Sequence, residues 1–184
     1  MPVLRIEGYV IVSADGMLAN ASNVMPDELR FEGDKAFFTA ALDGADLILH
    51  GRHSYEGQLN SPRRKRLILT RQVDAIASDR SNPNATLWNP AGASFDAACE
   101  RIGITAGTVA VIGGPAVFGM FMDRYDVFWL SLAPRVRLPD GEPCFPGVPK
   151  RSPQEVLASY GLCAGQPHML DAADDVTVTP WRRT

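Results

Sequence analysis

The stretch from Val109 to Met120, Val-Ala-Val-Ile-Gly-Gly-Pro-Ala-Val-Phe-Gly-Met, constrains this chain more than any other. The apolar run Val109 to Ile112 fits the end of a buried parallel strand, and the residues after it fit a helix with Pro115 at its first position, where a missing N–H costs nothing. The junction between the two is Gly113-Gly114. Paired glycines there allow unusual dihedrals and let an anion approach the first N–H groups of the helix. Gly-Gly-Pro also serves as an ordinary tight turn, so this junction alone leaves both readings open.

A second junction has the same form. Leu47-Ile48-Leu49-His50 is a short apolar run followed by Gly51-Arg52-His53-Ser54-Tyr55-Glu56, which predicts a strand opening into a glycine-led helix over 52–59. Two such junctions at the carboxyl ends of neighbouring parallel strands would bracket one crevice, the place where open α/β sheets bind ligands.

At 184 residues with 46% apolar content, the chain suits one well-buried core, and one domain over 1–184 is the expectation. Its net charge is −3, and its basic residues cluster only at Arg63-Arg64-Lys65-Arg66, which reads as a solvated turn rather than a nucleic-acid surface. No run approaches the ~18 apolar residues of a membrane span, and the start lacks the basic-then-apolar layout of a signal peptide, so a cytoplasmic protein is expected. The three cysteines, Cys99, Cys144 and Cys163, are widely spaced and odd in number, which argues against a disulfide framework or a zinc site. They read as reduced, mostly packing residues. His50 and His53 make a poor metal pair with no clustered third ligand, so no metal is expected.

In chain order, residues 3–12 read as a strand entering the core, and 16–33, with neither period, as a long loop. Residues 34–42 read as a helix, with Asp34 in its first turn or at its cap and Gly44 as its stop. Strand 47–50, helix 52–59 and strand 66–70 make a βαβ unit. Strand 86–88, a helix over 94–103 capped by Ser94, the central strand and helix, and strand 127–133 follow. Residues 134–149, rich in proline, read as a loop, and two weaker strands are expected near 155–163 and 174–182.

Several blocks carry a resemblance: Ser13 to Ala19, Asn23 to Pro26, Asp34 to Phe38, Leu49 to Glu56, Leu67 to Arg71, Val111 to Phe118, and Asp123 to Asp126 leading to Ala133-Pro134. In this order and spacing they resemble the dihydrofolate reductase-like family, including the reductase domain of the riboflavin-biosynthesis deaminase-reductases. The resemblance implies a three-layer α/β fold, with a mixed, mostly parallel central sheet flanked by helices and antiparallel C-terminal strands. It also implies an NADPH-dependent reductase of a small molecule. Gly51, Arg52, His53 and Ser54 would face the cofactor pyrophosphate from one side, and Ile112, Gly113, Gly114, Ala116 and Val117 from the other, often with a cis peptide between the glycines. Thr70 and Arg71 would meet the adenosine ribose and its 2′-phosphate, where an arginine fork suits a phosphate dianion that NADH lacks.

In folate reductases the helix after the mobile loop carries an acid that hydrogen-bonds the pterin, and Asp34 is the matching position. Glu32 and Glu28 are reserve candidates. Burial near a cofactor would favour the neutral acid and suit a proton donor, although a plain helix cap accounts for Asp34 equally well. Ser13-Ala14-Asp15-Gly16 is similar instead to the riboflavin-pathway reductases, with Met17 where those commonly have a basic residue. That places Ser13 and Asp15 among the candidate substrate contacts. Tyr9, Met25, Phe37 and Phe38 could floor an aromatic pocket or simply be core. The alternatives to a pterin-like or pyrimidine-like substrate are the ribosylaminopyrimidine phosphate of the riboflavin pathway and a non-catalytic nucleotide-binding protein. The sequence does not state an oligomeric state. The riboflavin-pathway relatives commonly dimerise, and the C-terminal strands offer an edge for a homodimer.

Overall fold

The computed structural model describes residues 3–184. The reading of the chain's first residues as leaderless rests in part on Met1 and Pro2, which lie outside that range. Strand β1 (Leu4–Ser13) is followed by a short β2 (Met17–Ala19), a single 3-10 turn at Asp27–Leu29 and helix α1 (Glu32–Gly44). The expected loop over 16–33 is therefore partly ordered. The Asn20 side chain is one reason, since its Oδ1 accepts from the N–H groups of Ser22 and Val24 at 2.9 and 3.1 Å and folds the tip onto itself.

Strands β3 (Leu47–Gly51), β4 (Arg66–Leu69), β5 (Ile76–Ser78) and β6 (Ala85–Trp88) come next. Then follow α2 (Phe95–Ile102), β7 (Gly107–Val111), α3 (Pro115–Met120) and β8 (Val127–Ala133). Helix α2 starts as the sequence predicts, with Ser94 accepting from the Ala97 N–H, and stops at Gly103 in the left-handed region. The last part of the chain holds β9 (Glu142–Pro143), α4 (Pro153–Ser159), β10 (Leu162–Ala164), β11 (His168–Asp171) and β12 (Val176–Arg183). The strand expected over 155–163 is mostly helix. Ser152 and Glu155 form a reciprocal capping box with Pro153 in the first turn, a start signal that outweighs the short apolar run behind it.

Ten strands share one sheet in the order β10-β12-β8-β1-β7-β3-β4-β6-β5, with β11 also paired to β12. The six from β8 to β6 are parallel, while β12 and β5 run antiparallel to them at the margins and β10 and β11 pair antiparallel to β12. This is the mixed, mostly parallel α/β sheet with antiparallel C-terminal strands that the resemblance implies. Alternating side chains go to opposite faces. Tyr9, Ile48 and Ala110 meet Leu42, Phe37 and Phe38 of α1 on one face. Leu47, Leu49, Val109 and Val111 share the other with Phe95 and Ala98 of α2 and Val117 and Phe118 of α3. No helix among the described residues is long and apolar enough to cross a membrane.

The helix expected over 52–59 is absent. Gly51 is followed by a turn and irregular backbone up to a 3-10 turn at Ser61–Arg63, so β3 and β4 are parallel neighbours joined without a crossover helix. The cause lies in the residues read as a solvated basic turn. Arg64 and Arg66 are 7% and 0% exposed, and both hold Glu56. Drawing that carboxylate into a buried ion cluster sets the path of the segment against its weak helical pattern.

Helix α1 also meets the C-terminal hairpin. A Cβ added to Gly33 would lie 2.0 Å from the Leu170 carbonyl oxygen of β11, whereas one added to Gly44 would meet nothing within 4 Å. Gly33→Ala is therefore expected to destabilise the protein by about 2 kcal/mol through overpacking. Gly44→Ala should leave it unchanged or stabilise it by about 0.5 kcal/mol. Urea midpoints of the two variants check the contrast, and equal shifts would contradict the packing of α1 on β11.

Candidate active site

The carboxyl ends of four adjacent parallel strands, β1, β7, β3 and β4, carry Ser13, Ile112-Gly113, Gly51 and Thr70. Ile112 continues the ladder by donating its N–H to the Leu49 carbonyl at 3.0 Å. Beyond it the two glycine junctions meet, with the Gly51 N–H donating to the Gly113 carbonyl at 2.7 Å. The Gly113–Gly114 peptide is cis, and Gly113 has φ +120°, a value open to glycine. A Cβ on Gly114 would lie 3.2 Å from the Ser54 hydroxyl, and one on Gly51 would lie 3.4 Å from Val117 and 3.7 Å from the Gly114 nitrogen. Gly51, Ser54, Gly113, Gly114 and Val117 thus meet at one surface, where Gly51 and Gly114 are half-buried and Gly113 and Val117 are buried. Ala116 follows in the first turn of α3, where Pro115 has no N–H and the Val117 N–H donates to the Gly114 carbonyl at 2.9 Å. Only one helix opens at this surface, since the second expected helix does not form.

Basic groups stand around it. Arg52 and His53 are exposed, with Arg52 Nη2 3.2 Å from His53 Nε2. Thr70 is buried and accepts from the Gln72 N–H at 3.1 Å, while Arg71 is exposed. Among the described residues neither Arg52 nor Arg71 enters an ion pair. Both charges stand free for an anion.

The candidate acids separate by position. Asp34 is the third residue of α1, not its cap, because the cap position is Phe31 and makes no side-chain cap bond. Asp34 is half-buried, and desolvation there raises its pKa, only partly offset by the neighbouring Ser131 of β8, which is itself 2% exposed. Glu32 and Glu28 are exposed. The surroundings of Asp34 thus act in favour of its neutral form.

The proposed pocket residues fall into separate places. The Tyr9 hydroxyl donates to Glu7 Oε2 at 2.6 Å, and its ring packs 6.2 and 6.4 Å from Phe37 and Phe38 under α1. Burial acts to raise the Glu7 pKa, but hydrogen bonds from Tyr9, Trp129 and Arg5 outweigh it and hold the carboxylate ionised. Ser13 and Asp15 form a local clasp. Ser13 donates to Asp15 Oδ1 at 2.5 Å and accepts from the Met17 N–H, while Asp15 takes the Leu138 N–H at 3.1 Å. They line a cavity of about 310 Å³ with Arg151, which does not include Gly51 or Gly114. Met25 is half-buried and takes the Arg30 guanidinium on its carbonyl at 3.1 Å. Beside it lies a cleft of about 680 Å³ whose walls include Glu28, Phe31 and Arg137. Among the described residues no group of three or more His, Cys, Asp or Glu side chains is placed to hold a metal.

No family model and no curated protein sequence matches the chain. Solved structures do. A "riboflavin biosynthesis protein" of Shewanella sp. PV-4 superposes with a TM-score of 0.67 at 17% identity, covering 98% of this chain and 99% of that one. Dihydrofolate reductase from Enterococcus faecalis, in complex with NADP(H) and RAB-propyl, gives a TM-score of 0.66 at 15% identity over 98% and 96%. The chain has the dihydrofolate reductase fold. The diaminohydroxyphosphoribosylaminopyrimidine deaminase/reductase of Thermotoga maritima gives 0.62 at 16% identity, and there all of this chain spans 57% of the longer protein.

Within the dihydrofolate reductase fold, two groups of residues lay outside the sequence reading. Ser131 is the single polar residue in the apolar run Val127–Ala133, an interruption that marks a buried partner. Arg66, likewise, opens the apolar run Leu67-Ile68-Leu69. Its Nη1 donates to Glu56 Oε2 at 2.6 Å and its Nη2 to Glu56 Oε1, while its guanidinium lies 4.4 Å from the Tyr55 ring centre. Arg64 adds bonds of 2.9 Å to Glu56 and 2.6 Å to Asp43. Burial alone would raise the Glu56 pKa, but the Arg66 and Ser61 hydrogen bonds and the Arg66 charge hold it at about 2. Because the folded value lies below the unfolded 4.5, the stabilisation is complete above pH 4.5 and is lost as pH falls towards 2. Chemical denaturation across that window should show Glu56→Gln losing less stability on acidification than the wild type. Glu56→Ala should cost about 3–5 kcal/mol at neutral pH, because it leaves the fully buried Arg66 guanidinium without a carboxylate and Arg64 with Asp43 alone.

Proposed function

We propose that this protein is an NADPH-dependent reductase that passes hydride to a pterin-like or pyrimidine-like ring, with Asp34 holding the proton that accompanies it. The observation that carries the reading is the position of Asp34, half-buried beside Ser131 in surroundings that raise its pKa. Ser131 pairs with Ile11 near the end of β1, on the side opposite β7 and the Gly113-Gly114 junction. Two strand spacings, about 10 Å, separate β8 from β7. An acid and a half-buried backbone surface therefore flank the same strand end at a spacing that admits a ring system between them.

The residues present fit a dinucleotide. Gly51, Gly113 and Gly114 offer backbone without side chains, the Ser54 hydroxyl stands over them, and Arg52 and Arg71 carry unpaired positive charge nearby. When bound, the nicotinamide supplies the hydride. Asp34 in its neutral form donates a hydrogen bond to a ring nitrogen of the substrate, with Ser131 fixing the orientation of its carboxyl group. Tyr9, Phe37 and Phe38 seat α1 on the sheet and so set the depth of Asp34. The Ser13-Asp15 clasp holds the end of β1 and the segment at Leu138 together on the substrate side. The fold likeness to a dihydrofolate reductase and to a diaminohydroxyphosphoribosylaminopyrimidine deaminase/reductase supports this reading.

Loss of NADPH absorbance with dihydrofolate and with the ribosylaminopyrimidine phosphate tests the activity. Tight cofactor binding with no turnover on either compound would turn the reading into that of a nucleotide-binding protein. Arg71→Ala is expected to weaken NADPH by roughly 1.5–3 kcal/mol and NADH hardly at all, as one charge-assisted contact requires. Equal losses in a fluorescence titration would remove the 2′-phosphate assignment. Asp34→Asn is expected to lower turnover by about 100-fold with cofactor affinity intact. In the wild type, turnover should fall as pH rises past the elevated Asp34 pKa, because the reactive form is the protonated one, and this limb should vanish in the variant.

A further inference from the structure

His50 is the last residue before Gly51, and its side chain is 1% exposed. Nδ1 lies 2.7 Å from the Gly51 carbonyl oxygen. A carbonyl can only accept, so Nδ1 carries a hydrogen. Nε2 lies 3.2 Å from Arg66 Nη1. A guanidinium can only donate, so Nε2 presents its lone pair. The two partners leave one consistent form, a neutral ring protonated on Nδ1, which is the less favoured neutral tautomer of a free histidine in water. Burial lowers the pKa of the ring, and the Arg66 charge adds to that while the Gly51 carbonyl and Glu56 oppose it. The groups facing the ring are Arg66 from β4, Glu56 behind it, and the Tyr55 ring at 6.1 Å.

The Gly51 carbonyl also accepts from the Ser54 N–H at 3.0 Å, and the Gly51 N–H is held by Gly113 at 2.7 Å. Gly51 is therefore tied on both sides, to the facing glycine junction and to His50. Its peptide with Arg52 is trans, so the Gly51 C=O and the Arg52 N–H point in opposite directions. Holding the oxygen against the buried ring turns the Arg52 N–H outward.

We propose that His50, locked as its Nδ1–H tautomer by the Arg66–Glu56 pair, is a positioning residue that orients the Gly51–Arg52 peptide to present its N–H to the phosphates of the bound dinucleotide. It reaches no ligand itself and acts through that peptide. The proposal rests on the reading of the Gly51 and Gly114 surface as the dinucleotide site. It gives the buried Glu56–Arg66 pair a role beyond stability, that of setting the tautomer of the histidine behind the cofactor surface.

Two measurements on the full chain test it. Long-range proton–nitrogen correlation of the histidine-labelled protein at neutral pH reads the tautomer directly, and the other two histidines, His53 and His168, are exposed and serve as references. A His50 ring with protonated Nδ1 and bare Nε2 is expected. A neutral ring protonated on Nε2, or a doubly protonated ring, overturns the proposal without any variant having to fold. The second measurement is NADPH affinity by fluorescence in His50→Asn and His50→Leu, with melting temperatures beside it. The asparagine amide reaches the Nδ1 position and can donate to the Gly51 oxygen, so it should keep affinity within about threefold. Leucine removes the donor and should weaken binding roughly tenfold, the scale of one net hydrogen bond. Equal affinity in the leucine variant and the wild type, or equal losses in both variants, overturns the positioning role. A wild type that binds neither NADPH nor NADH overturns the dinucleotide reading itself, an outcome distinct from either.

Discussion

The hydrogen bond from the Gly51 N–H to the Gly113 carbonyl is the contact on which the rest of the site depends. It joins the ends of β3 and β7 where the ladder between them stops, and so brings two glycine-bearing loops from distant parts of the chain to one surface. The approach needs glycine on one side, because Gly113 sits at φ +120°, whereas a Cβ on Gly51 would meet Val117 and the Gly114 nitrogen at ordinary contact distance. The half-buried backbone of Gly51 and Gly114 is what an anion would meet there. Everything polar around it, Ser54, Thr70, Arg52 and Arg71, is placed by the strands and turns that lead into or out of this contact.

Two further arrangements hold the surface in place from behind. On one face of the sheet, aromatic and aliphatic side chains under α1 fix the height of the helix, and with it the carboxyl of Asp34 against Ser131. At β4, the Glu56 carboxylate is bound by two buried guanidinium groups and fixes the segment that follows Gly51. Such pairs contribute little net stability relative to apolar packing, but they are costly to break and they specify geometry. Here the geometry specified is the path of the loop that carries Arg52, His53 and Ser54.

Much of this was legible in the residues. The apolar runs at Val109–Ile112 and Leu47–His50, each ended by glycine, mark strands whose ends do meet, and Ser94 with Gly103 bounds α2 as capping chemistry requires. What was hidden has a common cause. Arg64 and Arg66 look like a solvated turn because a local reading assigns charge to water, and only the tertiary fold brings Glu56 and Asp43 to them. The same burial replaced the helix expected over 52–59. Helix α4 was misread because apolar spacing was weighed above the capping box at Ser152 and Glu155, and β2, β5, β9 and β11 are too short to show a period. For the acids, sequence spacing gave three candidates, and only the packing of α1 on β8 distinguished Asp34 from Glu32 and Glu28.

Hydrogen–deuterium exchange of the full chain, with and without NADPH, tests the central claim most directly. If one ligand is gripped between the two glycine junctions, the segments 51–54 and 113–117 should gain protection together and by similar factors, with little change at the Arg151 cavity. Protection confined to one of the two segments, or centred on the Ser13 and Arg151 cavity, would contradict the account.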